Sequence, residues 1–481
     1  MKKIMTSILL ISILLSLAGC SGKDKAGEVA NDNDRTLIQE QISKDDESID
    51  MDGASDNDDD IKTTAVASSD KVETLTELEE FSKNLSLELT KGKVNEIYDI
   101  LTPTVKKQFT EKDLKEAWNM IVADMGNFIE LGEISEVIEG NNKTVYVILK
   151  YENIHIEVSY YYNESKKLEG IFFDYVTSEE EFVSNDYFEE SEITFGKKEN
   201  PIEGILTMPK DVKKPPVAIL VHGSGHHDAD ETIGPNKPFR DIAHGLARQG
   251  IAVIRYKESS IEKVMDKLTI QDDSLNDASQ AIKYAQSCGK FNTDKIYLIG
   301  HSLGGMMAPK LAADNKEVDG IVSLGGSPRK LEDIVYDQNN ILLKEDKSVT
   351  EDIFKAHMAE VKMAVDKIKN LKEASSEEIL GYPASYWYSL NQIDIAGIAK
   401  SLDIPILIAQ GSADFQVYAD IDYKAWQELL EGKDNVTFRL YDNLNHLFMT
   451  SNGMKDMTEY TIMDTVAEEV IDDIAEWILS N

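Results

Sequence analysis

Apolar positions between residues 94 and 160 recur with two periods, first that of a helix and then that of a strand. They repeat at three- and four-residue spacing over 94–101 and 114–125, which is typical of helices with one buried face. They alternate with polar residues over 145–149 and 154–160, which is typical of half-buried strands. Helices followed by an antiparallel meander predict a small α+β domain over residues 73–180.

From residue 185 onward the apolar positions form short continuous runs with helical stretches between them. Such runs lie at residues 216–221, 251–254 and 295–299. Short buried strands that alternate with helices predict a mostly parallel sheet flanked by helices. We therefore expect a separate α/β domain over residues 185–481.

The first 20 residues have the pattern of an export signal. Lys2 and Lys3 precede an apolar stretch, residues 4–17, which is too short to span a bilayer but suits the core of a signal peptide. The stretch leads into Leu17-Ala18-Gly19-Cys20, which resembles the lipobox of bacterial lipoproteins. The resemblance implies that residues 1–19 are removed and that Cys20 carries acyl chains such as palmitate. The alternative is an ordinary secretory signal with a chance cysteine.

Residues 20–72 have the composition of a solvated tether. Between residues 21 and 70 there are 15 acidic and 5 basic residues and no aromatic residue. Such a segment cannot bury enough apolar surface to offset the entropy of ordering it, so we expect it to be disordered. Its acidic run at 56–60 lacks the glycine turn and the terminal glutamate of a calcium loop.

Composition narrows the classes of function. The 481 residues include 50 Lys and Arg against 88 Asp and Glu, a formal charge of −38, which argues against nucleic-acid binding. The chain has two cysteines, Cys20 and Cys288, too few for a disulfide framework or a thiolate metal cluster. An apolar fraction of 42% is ample for a core, which excludes disorder throughout.

The run at 295–299 leads directly into Gly300-His301-Ser302-Leu303-Gly304, followed by a helix-forming stretch. A Gly-x-Ser-x-Gly sequence between a strand and a helix is the nucleophile elbow of α/β-hydrolases. The turn is so tight that its flanking positions tolerate almost no side chain, and the serine hydroxyl projects above the sheet edge. We predict Ser302 as a nucleophile and the amide of Leu303 as an oxyanion donor at a helix N-terminus.

A second oxyanion donor is expected in the loop that follows strand 216–221, which reads His222-Gly223-Ser224-Gly225. The sequence leaves open whether the backbone amide of Ser224 or that of Gly225 fills this role. The same loop continues with two histidines and two aspartates, which offers an alternative interpretation as metal ligands: His226, His227, Asp228 and Asp230. Their spacing matches no metal motif, so we expect no bound metal and no cofactor.

A catalytic base and acid should follow Ser302 in the order acid, then histidine. Only His357 and His446 follow it, and His357 lies in a Lys- and Glu-rich helical stretch, where a surface residue is expected. His446 comes just after the strand-like run 436–441, where the base belongs. The acid should follow the strand before that one, which makes Asp414 the candidate to orient His446. Two other aspartates are less suitable. Asp403 comes before the strand that should precede the acid, and Asp442 is only four residues from His446.

Five segments in combination resemble bacterial carboxylesterases of the EstD type: 222–225, 228–241, 300–305, 410–417 and 444–448. The resemblance covers about residues 73–481. It implies an α/β-hydrolase fold, carboxylic ester hydrolysis, a triad of Ser302, Asp414 and His446, and a small N-terminal domain of unknown function. Two departures affect the pocket. Relatives often have Pro-Gln in place of His226-His227 and an Asp-Lys-Arg run in place of Tyr256-Lys257-Glu258.

Residues 327–402 fall outside the strand pattern and follow the sixth expected strand. An insertion at this point is where α/β-hydrolases place a helical cap over the serine. An aromatic cluster near its end, residues 382–388, either lines the pocket or fixes the cap to the sheet. The sequence favours neither role.

Taken together, these patterns predict an exported serine esterase that is anchored to the bacterial membrane by Cys20 and acts on small-molecule esters. We expect it to need no metal or cofactor, to bind no nucleic acid and to have no obligate protein partner. A serine aminopeptidase or acyl-peptide hydrolase is the alternative within enzymes, because the same triad cleaves amides. A non-catalytic surface-binding lipoprotein is the alternative from another class.

Overall fold

A computed structural model describes residues 75–481, with gaps at residues 108–109, 123–124, 140–141, 153, 177–181, 260–266 and 346–348. The predicted signal peptide, the lipidation site Cys20 and the acidic tether lie outside the described residues. Along the part of the chain that is described, no helix is both long and apolar enough to cross a membrane.

The small domain is a four-stranded antiparallel sheet with helices packed on one face. The elements are α1 (Glu77–Leu89), α2 (Asn95–Ile100), α3 (Glu111–Ile121), β1 (Phe128–Glu139), β2 (Asn142–Tyr151), β3 (His155–Tyr162) and β4 (Leu168–Val176). The strands pair in the order β1-β2-β3-β4. Apolar residues that alternate along β2 and β3 are buried against the helices. Ser86 of α1 is buried too, and its hydroxyl lies 2.7 Å from that of Tyr160, which satisfies both polar groups.

The second domain is built on an eight-stranded sheet. Its strands are β5 (Phe188–Lys197), β6 (Asn200–Pro209), β7 (Val217–Val221), β8 (Ala252–Tyr256), β9 (Ile296–His301), β10 (Gly320–Leu324), β11 (Ile406–Gly411) and β12 (Val436–Tyr441). They pair in the order β12-β11-β10-β9-β7-β8-β6-β5. All pairings are parallel apart from the two that β6 makes. The prediction of a mostly parallel sheet is confirmed.

Helices cover both faces of this sheet. They are α4 (Pro238–Arg248), α5 (Asn276–Ser287), α6 (Leu303–Asp314), α7 (Leu331–Glu345), α8 (Glu351–Lys369), α9 (Ala384–Asn391), α10 (Ile395–Ser401), α11 (Lys424–Leu429) and α12 (Glu468–Ser480). Helices α4 and α12 pack on one face, and α5 and α6 on the other. Strands β7 to β11 are buried along their whole length, which explains their unbroken apolar sequences.

Between β10 and β11 the chain leaves the sheet and forms helices α7 to α10. A hairpin of two-residue strands, Glu378–Ile379 and Tyr382–Pro383, precedes α9. Thr350 caps the N-terminus of α8 and Asp394 caps that of α10, each accepting a backbone N–H from three residues ahead. This segment, with α7 and α8 packed on each other, provides much of the wall of the cavity described next.

Candidate active site

Ser302 occupies the turn between β9 and α6 in a strained backbone conformation. Its φ of 51° and ψ of −114° fall in a region that residues with a side chain rarely adopt. The turn is tight because its glycines touch other backbone segments. A Cβ on Gly300 would lie 2.2 Å from the carbonyl oxygen of Gly304, and one on Gly304 would lie 2.2 Å from that of Val221. The crowding expected from the Gly-x-Ser-x-Gly spacing is therefore present.

Two of the predicted residues meet in a direct hydrogen bond. Asp414 follows β11 and His446 follows β12, and the Nδ1 of His446 lies 2.7 Å from the Oδ2 of Asp414. Both side chains are buried. The carboxylate is fixed from its other side, because its Oδ1 accepts the backbone N–H groups of Gln416 and Val417 at 2.8 and 2.9 Å. A residue that the sequence did not single out, Gln410, donates its Nε2 to Asp414 Oδ2 at 2.7 Å.

The aspartate and the histidine that the sequence analysis rejected do not take part in this contact. Asp442 is exposed and accepts a hydrogen bond from the hydroxyl of Ser412. His357 was predicted to be a surface residue, and that prediction is wrong. It is 3% exposed, because α8 packs on α7, and its Nε2 bonds the side chain of Asn339 at 2.9 Å. His446, not His357, is the histidine that Asp414 contacts.

The loop after β7 lies against the serine. A Cβ on Gly223 would be 3.2 Å from the Cβ of Ser302. The backbone N–H of Gly223 donates to Glu231 Oε1 at 2.7 Å, which leaves the next amides of the loop as oxyanion candidates. Ser224 lines the cavity, and Gly225 is buried in the turn at a φ of 111°. Across from them, Leu303 is the first residue of α6, so its amide has no acceptor within the helix.

A buried ion pair joins this loop to the elbow. Glu231, at a φ of 51°, places its Oε2 2.9 Å from the Nδ1 of His301, and both residues are buried. The other ring nitrogen of His301 lies 3.0 Å from the backbone oxygen of His446. Burial disfavours both charges, but each stabilises the other. The net effect raises the pKa of His301 above 6.5 and lowers that of Glu231 to about 2.

Sequence reasoning missed Glu231 and His301 as parts of the site. The signal that could have found Glu231 is its position among the charged residues just after the expected oxyanion loop. For His301 the signal is its place inside the elbow sequence. Because this pair links the loop after β7, the elbow and the backbone of His446, it holds three separate parts of the site in one arrangement.

Ser302, Leu303, Ser224 and His446 all face one cavity of about 490 Å³. Its far wall comes from α7, α8 and the hairpin before α9. The aromatic cluster of this segment has both of the expected roles. Tyr382 and Trp387 line the cavity, while Tyr386 is fully buried and stacks on Tyr382 with ring centroids 4.3 Å apart.

Comparison with known proteins identifies the family. Residues 269–450 match a family described as alpha/beta hydrolase fold, and residues 82–171 match a protein of unknown function, DUF3887. The chain is 34% identical over 397 residues to Esterase EstD of Thermotoga maritima, which covers 81% of this chain and 93% of that protein. This protein belongs to the EstD family of esterases. It is a carboxylic ester hydrolase with the α/β-hydrolase fold, and the resemblance seen in the sequence is confirmed.

The solved structures to which this chain is similar include two other esterases. Est1E from Butyrivibrio proteoclasticus is 17% identical with a TM-score of 0.39, and the match covers 60% of this chain and 98% of that one. The esterase PF2001 of Pyrococcus furiosus is 13% identical with a TM-score of 0.39, and covers 62% of this chain and 96% of that one.

In this EstD-type esterase, His227 in the loop after β7 contacts Glu258, which follows β8. The backbone N–H of His227 donates to the Oε2 of Glu258 at 3.0 Å, and the Nε2 of His227 lies 3.0 Å from the backbone oxygen of Ser224. Burial and nearby Asp273 raise the pKa of Glu258 well above its usual value, which favours the neutral acid. These contacts brace the loop that carries Ser224.

The aspartates of this loop serve the esterase as structural groups. Asp230 lies in a buried network, 2.8 Å from the Nε of Arg255 and 2.8 Å from the Nζ of Lys237. Asp228 accepts hydrogen bonds from the backbone and the hydroxyl of Thr232. Within the described residues, no group of three or more His, Cys, Asp or Glu side chains is arranged to hold a metal ion.

Proposed function

We propose that this esterase acts through a triad of Ser302, His446 and Asp414 with an acyl-enzyme intermediate. The observation that carries the proposal is the 2.7 Å contact between His446 and Asp414, two buried residues beside a cavity that a strained serine also lines. A histidine with one nitrogen bound to a buried carboxylate presents its other nitrogen as a base.

In the proposed mechanism, the Oγ of Ser302 attacks the ester carbonyl carbon while the Nε2 of His446 takes its proton. The negative charge that forms on the carbonyl oxygen is held by the amide of Leu303 and by that of Ser224 or Gly225. Collapse breaks the bond to the alcohol, which leaves with the proton from His446. Water, activated by the same histidine, then attacks the acyl-enzyme and releases the acid. Asp414 keeps the proton of neutral His446 on Nδ1 and stabilises the imidazolium.

We also propose that the enzyme works outside the cytoplasm, on the bacterial cell membrane, held there by a lipidated Cys20. What supports this is the charged and apolar pattern of residues 1–17 followed by small residues and cysteine. Acyl chains on one residue suffice for stable anchoring when there are two or more. The acidic segment 20–72 then serves as a tether between the lipid and the folded domains.

Labelling with a fluorophosphonate, followed by mass spectrometry, tests the triad. A folded sample should carry the adduct on Ser302 and not on the other two serines that line the cavity, Ser224 and Ser327. The same sample should hydrolyse short-chain p-nitrophenyl esters, and Ser302→Ala should abolish both labelling and turnover. Labelling of the wild type at another serine, or turnover that survives Ser302→Ala, contradicts the proposed nucleophile. Faster cleavage of an anilide than of its matched ester favours the peptidase alternative.

A further inference from the structure

One arm of the cavity extends between α7, α8 and the hairpin before α9. Its wall is mainly apolar and is formed by residues Leu331, Ile334, Val335, Val361 and Leu380. A wall of this kind binds the hydrocarbon part of a substrate by excluding water. Polar side chains from the same elements also line it, and two of them, His357 of α8 and Asn339 of α7, are buried. The others are Gln338, Glu378 and Tyr382.

The hydrogen bonds of Asn339 determine which nitrogen of His357 carries the proton. The Nδ2 of Asn339 donates to the backbone oxygen of Val335 at 2.8 Å, so its Oδ1 faces His357. That oxygen lies 2.9 Å from the Nε2 of His357 and can only accept, so Nε2 must be the donor. In a neutral imidazole the other nitrogen, Nδ1, is then an acceptor. The ring therefore brings an acceptor to a mainly apolar wall.

His357 keeps this acceptor because it stays neutral. Burial lowers the pKa of its imidazole, and the charge of Glu360 only partly opposes that effect. A hydrocarbon group placed against the ring would leave Nδ1 cut off from water without a donor, which costs free energy. A group with a hydroxyl or N–H at that point satisfies the nitrogen and still fills the apolar arm.

We propose that this enzyme prefers esters whose acyl or alcohol part is an apolar chain or ring that ends in a hydroxyl group, and that His357 Nδ1 accepts its hydrogen bond. The proposal rests on the proposed function, since it assumes that the ester is cleaved at Ser302 in the same cavity. It makes His357 a specificity residue and Asn339 a positioning residue, with no part in bond cleavage.

Two pairs of esters test the preference on each side of the scissile bond. For the acyl side, methyl 3-phenylpropanoate is compared with methyl 3-(4-hydroxyphenyl)propanoate. For the alcohol side, 2-phenylethyl acetate is compared with 2-(4-hydroxyphenyl)ethyl acetate. In the wild type, kcat/KM of the hydroxylated ester should exceed that of its partner by about tenfold or more in one pair, as expected for a satisfied buried acceptor. The pair that shows the preference identifies which side of the ester enters the arm.

Substitutions test whether His357 and Asn339 are the source of this preference. In His357→Phe the ratio should fall to one or below, and Asn339→Leu should lower it as well, because Nε2 is then no longer held as the donor. His155→Phe makes the same change in the small domain, outside the cavity, and should leave the ratio as in the wild type. The ratio compares two substrates of one sample, so it does not depend on the fraction of folded enzyme or on the efficiency of the triad.

The proposal is overturned if the wild type shows no preference for the hydroxylated ester in either pair, or if the preference persists in His357→Phe. Either result leaves the proposed triad unaffected, since both esters of a pair are cleaved by the same groups. Failure of the triad itself would appear separately, as turnover of these esters by Ser302→Ala.

Discussion

At the scale of single residues, the structure separates two aspartates that precede the same histidine in the sequence. Asp414 is buried and holds His446, whereas Asp442, four residues before that histidine, is exposed and bonds a serine hydroxyl. The strand that ends before Asp414 neighbours the one that ends before His446, and parallel pairing places their exit loops at one edge. Proximity in the fold, not along the chain, selects the acid.

Substitution of each aspartate checks this assignment. Asp414→Asn should lower kcat by roughly 10⁴, because the amide lets His446 adopt the wrong tautomer and removes the charge that stabilises its imidazolium. Asp442→Asn, as the matched control, should retain most of the activity. Both are measured as kcat on a p-nitrophenyl ester, with active sites titrated by the fluorophosphonate. The assignment is wrong if the Asp442 variant is the crippled one.

Glu231 is the second residue whose role can be tested, through its two contacts. Glu231→Gln keeps an oxygen for the N–H of Gly223 but loses the ion pair with His301, whereas Glu231→Ala loses both. We expect kcat to fall by about 10² in the alanine variant, as for a displaced catalytic loop, and by less in the glutamine variant. Equal kcat in the two variants would mean that the Gly223 contact does not position the loop.

The ion pair also predicts a pH window for stability. The pKa of Glu231 falls from 4.5 to about 2 on folding, so its contribution is present above pH 4.5 and is lost as the pH falls toward 2. The pKa of His301 is raised from 6.5, so its contribution is present below pH 6.5 and is lost as the pH rises through the folded pKa. In urea unfolding, Glu231→Gln should lower the free energy of unfolding by about 3 kcal/mol between pH 4.5 and pH 6.5, and by less outside that range. A loss that is the same at pH 3, 5.5 and 9 would contradict this coupling.

At the scale of elements, the nucleophile elbow depends on close approach of three backbone segments. Gly304 meets the end of β7, and Gly300 meets the start of α6, at distances that no Cβ tolerates. The packing explains why the serine is held at a strained φ, since the neighbouring segments leave the turn no room to relax.

Adding one methyl group at Gly304 tests that explanation. Gly304→Ala should destabilise the protein by at least about 3 kcal/mol and abolish fluorophosphonate labelling, because the clash is with backbone that cannot yield locally. Gly289→Ala is the control: its φ of 75° disfavours a side chain, but nothing lies within 4 Å of the added carbon. It should cost about 1–2 kcal/mol and leave labelling intact. A stable, labelled Gly304→Ala protein would show that the elbow does not need this packing.

Elements with strong local patterns were predictable, and those defined by packing were not. The buried strands, the elbow and the positions of Asp414 and His446 follow from apolar runs and from where those runs end. The environment of His357 did not follow, because polar neighbours along α8 hide the one face that α7 covers. The ion pair of Glu231 and His301 was missed for a similar reason: the two residues are 70 positions apart, and only the pairing of β7 with β9 brings their loops together.

At the scale of the whole molecule, the net charge bears on how the protein could be held at a membrane. The chain carries a formal charge of −38, and along the sequence the acidic segment 20–72 lies between the lipobox-like residues and the first described helix. A negatively charged enzyme is repelled by anionic lipid headgroups, so electrostatic attraction cannot keep it at such a surface. The proposed membrane association would therefore depend on the acyl chains proposed for Cys20.

Removal of the lipidation site tests that dependence directly. Cys20→Ser should abolish acylation, and the protein should leave the membrane fraction for the medium or the periplasm, or stay unprocessed with its signal attached. Cys288→Ser removes the other cysteine, a half-buried thiol beside α5, and should leave the protein in the membrane fraction. Fractionation followed by mass spectrometry of the N-terminus distinguishes the cases. Because the negative charge offers no second route to the bilayer, a correctly cleaved Cys20→Ser protein that remained in the membrane fraction would refute the anchor.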